Sequence, residues 1–270
     1  MSPLVAAILG IIQGLTEFLP VSSSAHLIVA RDWFGVHMPE QLDLAFDVAC
    51  HVGTLIAVVA FFWADLLTML RAAPQALSRR PASAGRRIQL IVAGTIPIVI
   101  VGALGGAALE DTLRTPAVAA AMLAAGAIGL FVAERATAHV RSEEELTMPH
   151  AVIVGVAQAA ALVPGVSRSG ATISAGMLLG YQRADIARFT FLLSIPAILA
   201  AAAKKGLELR HATLTPSEIQ AFAIAMLTSG IVGYVTIKFF LRFLANHRLD
   251  VFAWYRLALA AVLVGLIVSR

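Results

Sequence analysis

The chain has 270 residues, of which 59% are hydrophobic and only 13% charged, with a mean hydropathy of +0.86. That is about half the charge that coats a water-soluble domain, so a soluble globular protein is excluded and an integral membrane protein is implied. The net charge of +4 and pI near 9.7 come from Arg and Lys in short loops between apolar segments, a topology signal that argues against nucleic-acid binding.

Residues 4–19 form the first apolar segment, which ends at Pro20 and continues as Val21-Ser22-Ser23-Ser24-Ala25-His26. It lacks the charged start and small-residue cleavage site of a signal peptide, so it is expected in the mature protein. Full spans are predicted over 44–70, 88–108 and 116–134. The lone cysteine, Cys50, lies inside the first of them and reads as a small core residue that cannot form an internal disulfide. Arg71, Arg79, Arg80, Arg86 and Arg87 lie between the first two spans, which places that loop in the cytoplasm, with the loop at 135–150 on the same side.

A second interrupted segment, 151–163, ends at Pro164 and continues as Gly165-Val166-Ser167-Arg168-Ser169-Gly170-Ala171-Thr172. Spans over 187–203, 217–243 and 251–269 follow. The turn with Arg242 and Arg248 falls on the cytoplasmic side, whereas Lys204, Lys205 and Arg210 fall outside, against the charge rule. Gly102 and Gly106, like Gly176 and Gly180, have the spacing of close helix packing.

Both interrupted segments are short for the ~20 residues of a crossing helix, and broken backbone at membrane depth needs protein or a wet cavity to satisfy it. Two re-entrant helical hairpins are the economical reading. Gly10, Gln13, Ser22 and Ser24 recur as Gly155, Gln158, Ser167 and Ser169 at one constant offset, and three spans follow each hairpin. The fold class expected is an all-α polytopic membrane protein of about six transmembrane helices plus two re-entrant hairpins in an inverted repeat. It forms one domain over 1–270, with halves of about 1–134 and 150–270. Paired interrupted helices point to a central site.

The candidate chemistry lies in those hairpins. Gln13 and Glu17 share a helix face, and a carboxylate at bilayer depth is a functional candidate. Arg168 follows a helix-breaking Pro-Gly, and its fork suits phosphate or carboxylate. Ser24, Ser167, Ser169, Thr172 and the backbone at Gly165 and Gly170 can cradle an anion. Such a set binds a phosphoryl group: Arg168 offsets charge, and Glu17 with Gln13 holds a divalent cation. His26 acts as general acid–base or as nucleophile, or a serine (Ser22 or Ser23) attacks with Glu17 or His26 as its base; the sequence does not choose among these. Asp47 and His51 share a face at the mouth of the first span, as site lining or as bundle contacts.

The run Gln13-Gly14-Leu15-Thr16-Glu17-Phe18-Leu19-Pro20-Val21-Ser22-Ser23, with His26, resembles the (E/Q)xxxE-plus-SS signature of bacterial undecaprenyl-diphosphate phosphatases of the bacitracin-resistance type. Pro164 to Thr172 resembles that family's PGxSRSxxT motif, and the resemblance extends through His51-Val52-Gly53-Thr54-Leu55. It implies release of phosphate from undecaprenyl diphosphate, regenerating the carrier for cell-wall synthesis. It also implies a divalent cation (Mg²⁺ or Ca²⁺), a homodimer, and a multi-pass protein of the bacterial cytoplasmic membrane with its site facing outward. Gln13 departs from the Glu that many members carry, which leaves Glu17 as the main acidic ligand.

A transporter or flippase for a lipid phosphate or other anion is the alternative from another class, since broken helices in inverted repeats also build transport sites. The other membrane phosphatase superfamily is set aside, because the chain has no PSGH stretch and no His follows Arg168 within forty residues.

Overall fold

The computed structural model describes residues 1–36, 38–78, 82–136, 138–209 and 214–269; Arg79, Arg80 and Arg210 lie outside them. The described residues form eleven α-helices: α1 (Pro3–Thr16), α2 (Ser23–Trp33), α3 (Glu40–Phe61), α4 (Trp63–Arg71), α5 (Ser83–Leu113), α6 (Pro116–Ala136), α7 (Met148–Ala160), α8 (Arg168–Leu178), α9 (Arg183–Leu209), α10 (Pro216–Asn246) and α11 (Asp250–Val268). Six of them are long and apolar enough to cross a membrane: Leu42–Phe61, Ser83–Gly105, Pro116–Ala136, Arg183–Glu208, Pro216–Asn246 and Asp250–Val268. The protein is an all-helical, multi-pass membrane protein.

The span expected over 44–70 is shorter than that. The helix breaks at Phe62 (φ −95°, ψ 21°), and α4 follows as a separate helix with no buried residue. Asp65 lies in the first turn of α4. Within α4 it pairs with Arg87 of α5 and Arg188 of α9, both at 3.2 Å, so this turn belongs to a charged end of the bundle.

Local signals set the short helices. Ser2 caps α1, accepting from the Val5 amide at 3.3 Å, with Pro3 in the first turn. Thr147 caps α7 in the same way, accepting from the His150 amide. At 14 and 13 residues, α1 and α7 reach only about 20 Å, less than the ~30 Å apolar core of a bilayer.

Each short helix packs against a long one: α1 along α10, and α7 along α5. Glycine permits both approaches. A Cβ on Gly10 would overlap Ala225 and Thr228 of α10, and a Cβ on Gly155 would overlap the backbone of Gly94 in α5. Elsewhere α3 packs along α10, and α6 along α11. Phe18, Phe62, Phe191 and Phe240 anchor the core, with the Phe18 and Phe191 rings edge-to-face at 5.3 Å. Cys50 is buried and free, as expected.

Charges gather at the two ends. At one, Glu134 takes both Arg183 and the Leu249 amide (2.7 Å). At the other, Arg31 and Arg114 close on Asp43 and Asp47. Arg87, of the Arg-rich loop, belongs to the first end, beside Asp65 and Glu143.

Candidate active site

Two helix–turn–helix units, α1–α2 and α7–α8, meet at their turns. Glu17 caps α1, its amide donating to the Gln13 carbonyl at 2.9 Å, and only 3% of its side chain is exposed. Arg168 is the first residue of α8, and its Nη2 donates to Glu17 Oε1. Ser23 Oγ and Gln13 Nε2 both donate to the other oxygen, Oε2, at 2.7 and 2.8 Å. The carboxylate is therefore ringed by one cation and two neutral donors, which offsets the cost of holding it away from water.

The turns are tied by further contacts. Ser169 Oγ donates to the Leu19 carbonyl at 2.9 Å, and the Gly165 amide donates to Ser24 Oγ at 3.3 Å. Ser22 and Ser167, which precede α2 and α8, both have positive φ (72° and 68°), a conformation costing about 1–3 kcal/mol outside glycine. Gly165 also has positive φ, and a Cβ there would overlap the Ala119 carbonyl.

A cavity of about 210 Å³ opens over this cluster. Of the residues singled out by sequence, Glu17, Ser22, Ser23, Ser24, Ser167 and Arg168 line it, with Val48, Ile98, Leu162 and Ile198 as apolar wall. Gln13 stands behind Glu17. Thr172 is fully buried and its hydroxyl returns to the Arg168 carbonyl at 2.7 Å, while the Gly170 amide donates to Ser167 Oγ at 3.2 Å. Both shape the start of α8 rather than the cavity.

The two histidines are placed differently. His26 turns away from Glu17: its Nδ1–H donates to the Ser22 carbonyl at 2.7 Å, and Nε2 accepts from the Tyr255 hydroxyl at 2.7 Å, the rings being stacked. His51 instead joins the cluster. Its Nδ1 accepts from Gln13 Nε2 at 3.0 Å and lies 3.4 Å from Glu17 Oε2, and its half-buried ring lines the cavity. With Nδ1 accepting, Nε2 carries the proton.

Gln158 also lines the cavity; it is fully buried, and neither end of its carboxamide has a hydrogen-bond partner among the described residues. The repeat spacing matched it to Gln13 but gave it no role; its place in the cavity is a tertiary result. A second cavity, about 260 Å³, shares Ser24, Val48, His51 and Ala201 with the first and leads to Asp47, Arg114, Lys204 and Lys205. The site thus opens toward the end of the bundle opposite the Arg-rich loop.

As for a metal, the described residues contain no group of three or more His, Cys, Asp or Glu side chains placed to hold one. Gln13 Oε1 is nonetheless a buried oxygen without a partner among the described residues, in the side chain that bonds the Glu17 carboxylate. One or two protein oxygens suit a hard cation that takes its remaining ligands from substrate phosphates and water.

A family model described as bacitracin resistance protein BacA matches residues 6–262. A protein of Rubrobacter xylanophilus named undecaprenyl-diphosphatase is 43% identical over 265 residues, covering 97% of each chain. Proteins of the same name from Chlorobium chlorochromatii and Desulforudis audaxviator are 40% and 37% identical; they align with 100% of this chain and with 98% and 100% of their own lengths.

Proposed function

The chain belongs to the BacA family of bacitracin resistance proteins, and we propose that the Glu17–Arg168 cluster is the site where it hydrolyses undecaprenyl diphosphate to undecaprenyl phosphate and inorganic phosphate. It is a membrane hydrolase that returns a lipid carrier to peptidoglycan synthesis. The observation that carries the site assignment is the Ser23 hydroxyl, donated to Glu17 Oε2 at 2.7 Å beside the Arg168 guanidinium and facing a cavity. Nucleophile, base and charge-stabilising group are within reach of one another, as phosphoryl transfer requires. The names of the relatives favour hydrolysis over transport.

Arg168, the Gln158 carboxamide and His51 Nε2–H bind the phosphoryl oxygens. Ser23 Oγ attacks the terminal phosphorus as its proton passes to Glu17. The bond to the bridging oxygen breaks, and that oxygen departs on undecaprenyl phosphate, which also carries off the proton from Glu17. Glu17 then takes a proton from water attacking the phosphoserine and delivers it to Ser23 Oγ as inorganic phosphate leaves. Gln13 holds the Glu17 carboxylate in position, and His26, bonded to the Ser22 carbonyl, fixes the start of α2. Ser22, Ser24, Ser167, Ser169 and Thr172 set the turns that present these groups.

Glu17 and Gln13 Oε1 are the residues that would hold a divalent cation, Mg²⁺ or Ca²⁺. Bound there, it offsets the charge on the diphosphate.

The two helix–turn–helix units are read as re-entrant hairpins of an inverted repeat. The exchange of partners, α1 with α10 and α7 with α5, supports this, as do the matched positive-φ serines 22 and 167. The Arg-rich loop prefers the cytoplasm, so a site opening at the other end faces the outside of the cytoplasmic membrane. Pairing of two copies, which the resemblance implied, is supported by Gly102, which has the spacing to Gly106 of close helix packing and at which a Cβ would meet nothing among the described residues.

The test is phosphate release from a C55 or C15 prenyl diphosphate by purified protein in detergent, with and without EDTA. Wild type releases phosphate, and Glu17→Ala and Arg168→Ala, recovered folded, do not. Absence of release by folded wild type with cation supplied overturns the assignment, and lipid or anion transport becomes the leading reading.

A further inference from the structure

Arg256 lies within the membrane-spanning α11 with none of its surface exposed. Such a guanidinium normally pairs with a carboxylate; among the described residues its partners are instead five backbone carbonyls. Nε donates to Leu123 at 3.1 Å and Nη1 to Pro20 at 3.1 Å, while Nη2 donates to Met122, Gly165 and Val166 at 3.0, 3.0 and 3.1 Å. Pro20 belongs to the turn between α1 and α2, Gly165 and Val166 to the turn between α7 and α8, and Met122 and Leu123 to α6. One planar group therefore binds both turns to a single wall.

The surroundings are cut to fit it. A Cβ on Gly126 of α6 would overlap Nη2, and a Cβ on Gly170 would come within 3.0 Å of Nη1. The carbonyls it holds lie immediately before the positive-φ serines: Pro20 is two residues ahead of Ser22, and Val166 directly precedes Ser167. With the Val166 carbonyl fixed on Arg256, the trans peptide plane turns the Ser167 N–H to the opposite side. Glu17 and Arg168 sit three residues before Pro20 and two after Val166.

We propose that Arg256 is the positioning residue that holds the two turns in register, so that Glu17 and Arg168 meet at the reacting phosphate. The consequence for catalysis rests on the active-site reading above; the register of the turns does not. Lysine keeps the charge but offers a point of donors in place of a fork, so it cannot span both turns and α6.

The experiment compares wild type with Arg256→Lys, Gly126→Ala and Gly129→Ala in detergent. Gly126→Ala leaves every donor in place but displaces the flexible end of Arg256, so it folds even where a change at Arg256 does not. Gly129, on the same helix, has open space at its Cβ and serves as control. For Arg256→Lys and Gly126→Ala, kcat on a C15 prenyl diphosphate falls about 100-fold with KM little changed, the scale expected from a displaced reacting group. Hydrogen exchange followed by mass spectrometry then accelerates together in peptides covering 17–24 and 162–170, and Gly129→Ala behaves as wild type. Wild-type kcat in both variants, or exchange that rises only in α6 and α11, overturns the proposal. Failure of wild type to release phosphate would sink the activity assignment alone, because exchange in the two turns still reads the tie.

Discussion

Glu17 and Arg168, 151 residues apart, meet in a single ion pair that joins the turn after α1 to the first residue of α8. Among the described residues neither charge has another full partner of opposite sign, so each depends on the other. Breaking a buried pair by removing one member typically costs about 3–5 kcal/mol, more than replacing both with neutral groups. Arg168→Gln and Glu17→Gln are each expected to lower the unfolding temperature in detergent, and the double variant to recover much of that loss while remaining inactive. A double variant as unstable as the sum of the singles would show that the pair is not coupled.

Ser23 is expected to matter more than its neighbour Ser22. Its hydroxyl is the one bonded to Glu17, whereas Ser22 Oγ faces Ser24 Oγ at 3.2 Å. Ser23→Ala should reduce phosphate release by about 10³-fold or more with little change in melting temperature, whereas Ser22→Ala should cost about tenfold or less. Single-turnover assays with radiolabelled substrate should trap phosphoserine at position 23; label on another residue would reassign the nucleophile.

The two histidines should separate cleanly. His51 lines the cavity and His26 does not. His51→Ala is expected to lower kcat by about 10²-fold, within the range for losing one hydrogen-bond donor to the charge that develops on the phosphoryl group. Tyr255→Phe, which removes only the hydroxyl bonded to His26, should change kcat less than about threefold. Equal effects from both would return His26 to the reacting centre.

Gln158 gives a prediction with opposite signs on stability and activity. A buried carboxamide without partners costs about 1–3 kcal/mol, so Gln158→Leu should leave the unfolding temperature unchanged or raise it. Loss of its contact with phosphoryl oxygens should raise KM for the prenyl diphosphate about tenfold, measurable by phosphate release across substrate concentration. A less stable variant with unchanged KM would give Gln158 a packing role instead.

Much of the molecule was legible from the chain itself. Hydropathy alone marks the six spans, because a lipid-facing surface must be apolar along ~20 residues, and the largest over-extension was in the first, which breaks at Phe62. Gln13, Glu17 and Ser23 could be read together because one turn of backbone fixes their neighbourhood, and the Ser167-Arg168-Ser169 run for the same reason.

What one-dimensional spacing could not decide was which of several polar groups converge once the helices pack. The sequence favours His26 for the chemistry and leaves His51 as site lining or a bundle contact, yet the direction of α2 sends His26 to Tyr255, 229 residues away, and the packing of α3 brings His51 to Gln13. Gln158 is an ordinary residue of an apolar helix until the cavity forms around it. Arg256 could have been suspected as a lone cation within an apolar span, but its partners are main-chain carbonyls from three separate segments. Carbonyls are common to every residue and carry no sequence signal. The composition and local motifs therefore determined a helical membrane protein with a phosphate-type site, since solvent and backbone geometry act on neighbouring residues. Which polar side chains converge was decided by tertiary packing, since an ion pair or hydrogen bond forms only where folding brings its two ends within about 3 Å.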